Sequence, residues 1–262
     1  MKELGGFFMT FHQLPKQQGL YSPEFEHDAC GIGMYANMKG IASHKIVKSG
    51  LEMLCRLEHR AGRGGDGQTG DGAGIMVQIP HAFYKEHCKE LNLPEVGEYG
   101  VGQLFFTQDE AQQKLIEEKM NELIKAEGQG LIGWRTVPTK YSVLSAVAKE
   151  TAPVVRQVFI QAATGLDRLA FERKLYVVRK QVEHWALAQE FDLYIPSMSS
   201  QTMVFKGLLS PEEVTTFYTD LQHESFVSAF ALVHSRYSTN TFPSCCLLYT
   251  SPSPRDVEES RM

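Results

Sequence analysis

The chain's most chemically loaded residue is Cys30, a small thiol in the run Phe25-Glu26-His27-Asp28-Ala29-Cys30-Gly31-Ile32-Gly33. Alanine before it and glycine after it leave access for cleavage and for a substrate. If the bond after Ala29 is cut, Cys30 becomes the N-terminus. Its α-amine, with a reference pKa of about 7.7–8.0, can then act as general base for its own thiol. Read alone, the same cysteine is also an ordinary small hydrophobe of a core. The second such residue is Arg236, at the end of the apolar run Phe230-Ala231-Leu232-Val233-His234. Its planar five-donor fork suits a carboxylate, and Ser238 and Thr239 could add hydroxyl donors. A strand-end salt bridge is the competing reading of Arg236.

Other patterns point to less. Gly62, Gly64 and Gly67 satisfy Gly-x-Gly-x-x-Gly, but they follow a predicted helix where a dinucleotide fingerprint needs a strand, and no Gly-Lys-Ser/Thr follows as in a phosphate loop. Asp28, Asp66 and Asp71 lack the dense spacing of a calcium loop and read as solvated turn residues. His27, His44, His59, His81 and His87 are scattered without a His-Glu-x-x-His helix, which makes them surface or capping residues. The five cysteines, Cys30, Cys55, Cys88, Cys245 and Cys246, form no Cys-x-x-Cys pair, so neither a disulfide framework nor a thiolate metal site is expected.

These residues need elements to position them. Residues 31–36 read as a short strand directly after Cys30. Ser43 can cap a helix with Ile46, Val47, Leu51, Leu54 and Leu57 on one face, and Gly50 inside it marks close packing against a neighbour. Seven glycines fall within residues 62–74, so an ordered role there requires positive φ or close backbone approach. Strands are predicted at 75–79, 101–106, 175–179, 203–205 and 230–234. Helices are predicted from a Thr107/Glu110 capping box to Gly128, over 181–190, and from Ser210-Pro211 onward. The blocks of strands and helices predict a layered α/β or α+β fold.

Composition sets the outer bounds. The 262 residues, 43% hydrophobic, suffice for a packed core, and a formal charge of −5 without a basic block gives no reason to expect nucleic acid. No run is long enough to span a membrane and no secretory h-region precedes Cys30, so a cytoplasmic location without a membrane partner is expected.

Four motifs in order carry a resemblance: Glu26-His27-Asp28-Ala29-Cys30-Gly31-Ile32-Gly33; Leu57-Glu58-His59-Arg60; Thr69-Gly70-Asp71-Gly72-Ala73-Gly74; and His234-Ser235-Arg236-Tyr237-Ser238-Thr239-Asn240-Thr241-Phe242-Pro243. Over about Tyr21 to Ser244 the chain resembles the N-terminal-nucleophile (class II) glutamine amidotransferases, and within them the amidotransferase domain of glutamate synthases. The resemblance implies a leader at 1–29, an α+β domain of four αββα layers at 30–244, and Cys30 attacking the side-chain amide of L-glutamine. It implies Arg236 on the substrate carboxylate with Thr239 assisting, the Gly31 amide beside the nucleophile, and Arg60, Gly70, Asp71 and Gly72 as pocket framework. No metal is implied here. For a full-length enzyme it implies a synthase domain that aminates and reduces 2-oxoglutarate, with FMN, an iron–sulfur cluster and NADPH or ferredoxin as electron donor, and a small electron-transfer subunit as a possible partner.

Another class II amidotransferase, making a phosphosugar amine or a purine precursor, an amide hydrolase of the same fold, and a non-catalytic α/β domain are the alternative readings. The resemblance stops after Ser244. Where such domains continue into an Asn-Gly oxyanion-hole segment and a later acidic residue, this chain reads Cys245-Cys246-Leu247-Leu248-Tyr249-Thr250 and onward. Residues 245–262 are therefore expected to be a foreign or disordered tail and the fold incomplete at its C-terminus. Loss of one oxyanion donor costs about 2.7–4 kcal/mol in the transition state, so negligible glutaminase turnover is expected of this chain.

Overall fold

The computed structural model describes residues 31–62 and 69–236. Cys30, Thr239 and the segments expected to be a leader (1–29) and a tail (245–262) lie outside these residues. In chain order the elements are β1 (Gly31–Ala36), α1 (His44–Arg56), β2 (Ala73–Gln78), α2 (His81–His87), β3 (Tyr99–Phe106), α3 (Glu110–Ala126), β4 (Gly130–Thr136), α4 (Ala146–Glu150), β5 (Val154–Gln161), α5 (Arg168–Ala188), β6 (Leu193–Ser199), β7 (Thr202–Gly207), α6 (Pro211–Phe217) and β8 (Phe230–Ser235). The strands form two antiparallel sheets of four, ordered β1-β8-β2-β7 and β4-β5-β3-β6.

The first sheet is packed by α1 and α6. Ile46, Val47, Leu51 and Leu54 of α1 are buried against Ile75, Val77, Ala231 and Val233. Gly50 sits at the closest approach, where an added Cβ would lie 2.5 Å from the Ala231 Cβ, so the helix lies flat on the sheet only because that position carries no side chain. α6 begins as its sequence predicts, with Pro211 in its first turn and a reciprocal capping box between Ser210 and Glu213.

The second sheet shows the period-two alternation of a strand with both faces covered. Leu104 and Phe106 of β3 join Val158, Ile160 and Ile195 against α3 and α5, while Tyr99, Val101 and Phe105 point to the other core. α5 corrects the sequence reading, because residues 175–179 are the middle of a 21-residue helix and not a strand. Phe171, Leu175, Val178, Val182 and Ala186 are buried on one helical face, and that spacing outweighs the local preference of Val177 and Val178 for strand. The predicted helix at 181–190 is the end of the same element. The predicted Thr107/Glu110 box is also replaced, since Asp109 is the cap of α3 and accepts from the amides of Ala111 and Gln112. β4, β5 and β6 were not anticipated at all.

A buried polar relay ties the second sheet to the first. Arg135 of β4 donates through both terminal nitrogens to Asp220, at 2.7 and 2.9 Å, and through Nη1 to Gln157 Oε1. Gln157 donates to Gln103, and Gln103 donates to the Val204 carbonyl of β7. Both glutamine residues are fully buried. Burial works against the Arg135 charge, but the hydrogen bonds and charge of Asp220 outweigh it and raise its pKa. Breaking such a pair strands a buried charge, so Asp220→Asn is expected to lower unfolding free energy by about 3–5 kcal/mol, whereas a joint Arg135→Met, Asp220→Leu exchange should lose less. Urea titration of the three proteins checks both values.

Candidate active site

One transverse line across the first sheet organises the site. Gly31 of β1 pairs with Ser235 of β8, Ser235 pairs with Ala73 of β2, and Ala73 pairs with Gly207 of β7. The beginning of β1 and the ends of β8 and β7 therefore meet at one edge. Gly31 directly follows Cys30 in the chain, and Ser235 directly precedes Arg236.

Arg236 is buried to 4% exposure, and its backbone is pinned on both sides. Its amide donates to the Gly72 carbonyl, its carbonyl accepts from the Gly62 amide, and the Asp71 amide donates to the Gly62 carbonyl, each at 2.9 Å. These bonds extend the ladder of β8 past its last strand residue and lock it to both limbs of the glycine-rich loop. Asp71 is itself buried, which overturns the expectation of a solvated turn aspartate. Its carboxylate lies against Gly62, where an added Cβ would stand 2.7 Å from Oδ2.

The remaining framework residues close the same edge. An added Cβ at Gly31 would meet the Arg60 Cβ at 3.1 Å, so Arg60, at the end of a single 3-10 turn over Glu58–Arg60, flanks the start of β1. Gly70 runs against the backbone of Leu209 and Ser210, the latter being the cap of α6. Gly72 has φ of 139°, outside the range that side chains favour. Thr69 is tied by its hydroxyl to Ser145, 2.7 Å away at the cap of α4. Gly31, Arg60, Gly70, Asp71, Gly72 and Arg236 are thus brought to one place, while Cys30 and Thr239 lie outside the described residues.

The sequence reading gives Ser235 no role of its own, although it directly precedes Arg236; Gly62, the first glycine of the loop for which close backbone approach is expected, makes that approach to Arg236 and Asp71. Elsewhere, His44 and His59 accept their predicted supporting role, each ring lying 3.0 Å from a backbone carbonyl. Burial raises the pKa of the Cys55 and Cys88 thiols, for Cys88 against the opposing charge of Arg135. Among the described residues, no group of three or more His, Cys, Asp or Glu side chains could hold a metal ion, and no helix is long and apolar enough to cross a membrane.

Comparison with known proteins shows the family of the chain. The family model for class-II glutamine amidotransferases matches residues 30–249. The chain belongs to that family. The mixed α and β architecture, with two antiparallel sheets and their helices, is consistent with its N-terminal-nucleophile hydrolase fold. The chain is 60% identical over 237 residues to the glutamate synthase [NADPH] large chain of Bacillus subtilis, covering 90% of this chain and 16% of that protein. It is 39% identical over 239 residues to the glutamate synthase [NADH] of Schizosaccharomyces pombe, covering 88% of this chain and 11% of that protein. It is also 39% identical over 222 residues to ferredoxin-dependent glutamate synthase 1 of Arabidopsis thaliana, covering 83% of this chain and 14% of that protein. The chain therefore spans a small part of the length of these relatives.

The closest steric constraint at this edge yields a test. An added Cβ at Gly70 would fall 2.1 Å from the Leu209 carbonyl carbon, and because that neighbour is backbone the strand or the loop must move. Gly70→Ala is expected to cost about 1–3 kcal/mol in urea denaturation and to speed amide exchange at Asp71 and Arg236. An unchanged midpoint and unchanged exchange would show that the approach is not a constraint.

Proposed function

We propose that this chain carries the machinery for the glutaminase half-reaction of a glutamate synthase, with Cys30 as nucleophile after removal of residues 1–29, and that turnover is negligible with the sequence that here follows Ser244. The observation that supports it best is the pairing of Gly31 with Ser235, which sets the residue after the proposed nucleophile beside the residue before the proposed carboxylate clamp. Glutamine enters with its α-carboxylate on the Arg236 guanidinium, with Thr239 assisting. The Cys30 thiol gives its proton to its own α-amine as sulfur bonds to the side-chain amide carbon, and the Gly31 N–H lies beside the nucleophile. The amine returns the proton to the leaving nitrogen, the C–N bond breaks, and ammonia departs from a γ-glutamyl thioester. Water then attacks that carbon, the C–S bond breaks, and glutamate and the thiol are restored.

The ammonia would aminate 2-oxoglutarate in a synthase domain of the full-length polypeptide, where FMN, an iron–sulfur cluster and NADPH or ferredoxin would supply the reduction, with or without a small electron-transfer subunit. Relatives named for NADPH, NADH and ferredoxin all match this segment, which supports a donor chosen outside it. Among the described residues no site for those groups is assigned, and the glutaminase half-reaction needs only glutamine, water and this chain's own groups.

The test is intact mass and N-terminal sequencing before and after 6-diazo-5-oxo-norleucine, a glutamine-shaped electrophile. The expected result is loss of residues 1–29 and one adduct on Cys30, with none on the half-buried Cys55 or the buried Cys88, whose pKa values burial raises. Arg236→Lys keeps the charge but loses the planar fork, and should slow adduct formation about 10- to 100-fold. A chain that keeps Met1 and takes up no label overturns the reading.

A further inference from the structure

The connection from β4 to β5, residues 137–153, leaves the second sheet and crosses to α6, which packs on the first. Its early part is fastened at the end of α6. Thr139 bridges to Tyr218, the Lys140 amide donates to the Phe217 carbonyl at 2.9 Å, and the Tyr141 ring meets Phe217 edge-on at 5.6 Å. Its later part is fastened to the turn after β3, where the Gln108 side-chain amide donates to the carbonyls of Lys149 and Ala152. Leu144 and Ala152 are buried, and with Leu208 and Leu209 they line one apolar cavity. Buried apolar contacts and directed bonds at both ends make this connection an ordered strap.

At its middle the strap reaches the glycine-rich loop. Ser145 Oγ lies 2.7 Å from Thr69 Oγ1 and accepts from the Ala148 amide at 3.1 Å, so one side chain both starts α4 and holds Thr69. A hydroxyl has one proton and two acceptor lone pairs, so the bond forms whichever of the two oxygens donates. Thr69 leads into Gly70, Asp71 and Gly72, and in this limb only Thr69 and Asp71 carry side chains by which it can be fixed. The limb ends on the Gly72 carbonyl, which accepts from the Arg236 amide. The strap borders the limb a second way, because Leu209, on the wall of the shared cavity, is the residue whose backbone Gly70 approaches.

We propose that Ser145 is a positioning residue for the candidate site: through Thr69 it fixes the limb from Gly70 to Gly72, and through the Gly72 carbonyl it sets Arg236 for the substrate carboxylate. The inference rests on the role given to Arg236 above. It brings into the site a residue that lies outside all four sequence motifs, carried by the connectivity of the second sheet. Arg236 holds a carboxylate that does not react. Displacing it therefore removes binding common to the ground and transition states, which shows in the concentration needed for half-saturation and not in the maximal rate.

Saturation kinetics of Cys30 labelling by 6-diazo-5-oxo-norleucine on the full chain test it, with amide hydrogen exchange as a readout that needs no reaction. Thr69→Val removes one hydroxyl and keeps the Ser145 cap, Ser145→Ala removes the other, and Ser145→Thr keeps both cap and hydroxyl. Thr69→Val and Ser145→Ala should each raise the half-saturating concentration about fivefold with the maximal labelling rate unchanged. The double variant should be no worse than Ser145→Ala, since both changes remove the same bond, and Ser145→Thr should match the parent chain. Exchange should speed at Asp71 and Arg236 in both single variants and stay unchanged at Phe159, in the core of the second sheet. Additive effects, an unchanged half-saturation, or exchange that speeds at Phe159 as much as at Arg236 overturns the proposal, the last by showing only a loss of global stability. If the parent chain takes up no label, the reading of the site fails, and exchange at Arg236 then decides whether Ser145 fixes it.

Discussion

The register of β8 is the constraint on which the candidate site depends. β8 is the last strand of the described chain, yet it lies between β1 and β2, the first two. Both of its edges are therefore filled by backbone hydrogen bonds, and a slip by one residue would exchange Ala231 and Val233, which face α1, for Leu232 and His234. The packing of α1 on the sheet thus fixes where β8 stops. Once it stops at Ser235, Arg236 has nowhere to go except between Gly62 and Gly72, whose backbone groups complete its pairing. A residue at the end of the described segment is placed beside the segment's start by ordinary antiparallel pairing.

The same logic explains why the glycine-rich loop is an ordered part of the frame at both described limbs. Glycine is often equated with freedom, but Gly62, Gly70 and Gly74 each sit where an added Cβ would come within 3 Å of a neighbouring atom, and for Gly70 and Gly74 that neighbour includes backbone. Here the missing side chain permits contact, and contact removes the freedom. The loop can then approach β8, β7 and the cap of α6 together, which no chain of larger residues could do at these separations.

Much of this could be read from the residues. β1, α1, β2, β3, α6 and β8 have clear periodicity or caps; of the eight residues expected at the site, Gly31 lies in β1, and Arg60, Gly70, Asp71, Gly72 and Arg236 lie in the segments that join or follow these elements, while Cys30 and Thr239 fall outside the described residues. The region between β3 and β7 was harder for a physical reason. Leu175-Tyr176-Val177-Val178-Arg179 has the composition of a strand, and only the wider spacing of Phe171, Leu175, Val178 and Val182 identifies a helix face. β4 gave no signal because its residues are half-exposed on an edge and include Gly130 and Gly133. The relay of Arg135, Asp220, Gln157 and Gln103 joins residues far apart in sequence, and no local pattern can announce such a pairing.

The relay also shows how two cores can act as one body. α3 and α5 form a separate apolar cluster with the outer face of the second sheet, while its inner face, through Tyr99, Val101, Phe105, Val155 and Phe159, shares one core with the first sheet; that apolar contact is non-directional and resists sliding less than directed bonds do. Directional bonds do not permit the same sliding. Each amide in the relay has one donor committed toward the first sheet and one acceptor committed away from it, ending on a carbonyl of β7 and beginning at a paired arginine. Apolar packing supplies the driving force for bringing the halves together, and the polar chain selects one relative position. β7 ends at Gly207 on the line that organises the candidate site, so the second sheet steadies that edge through the strand it holds.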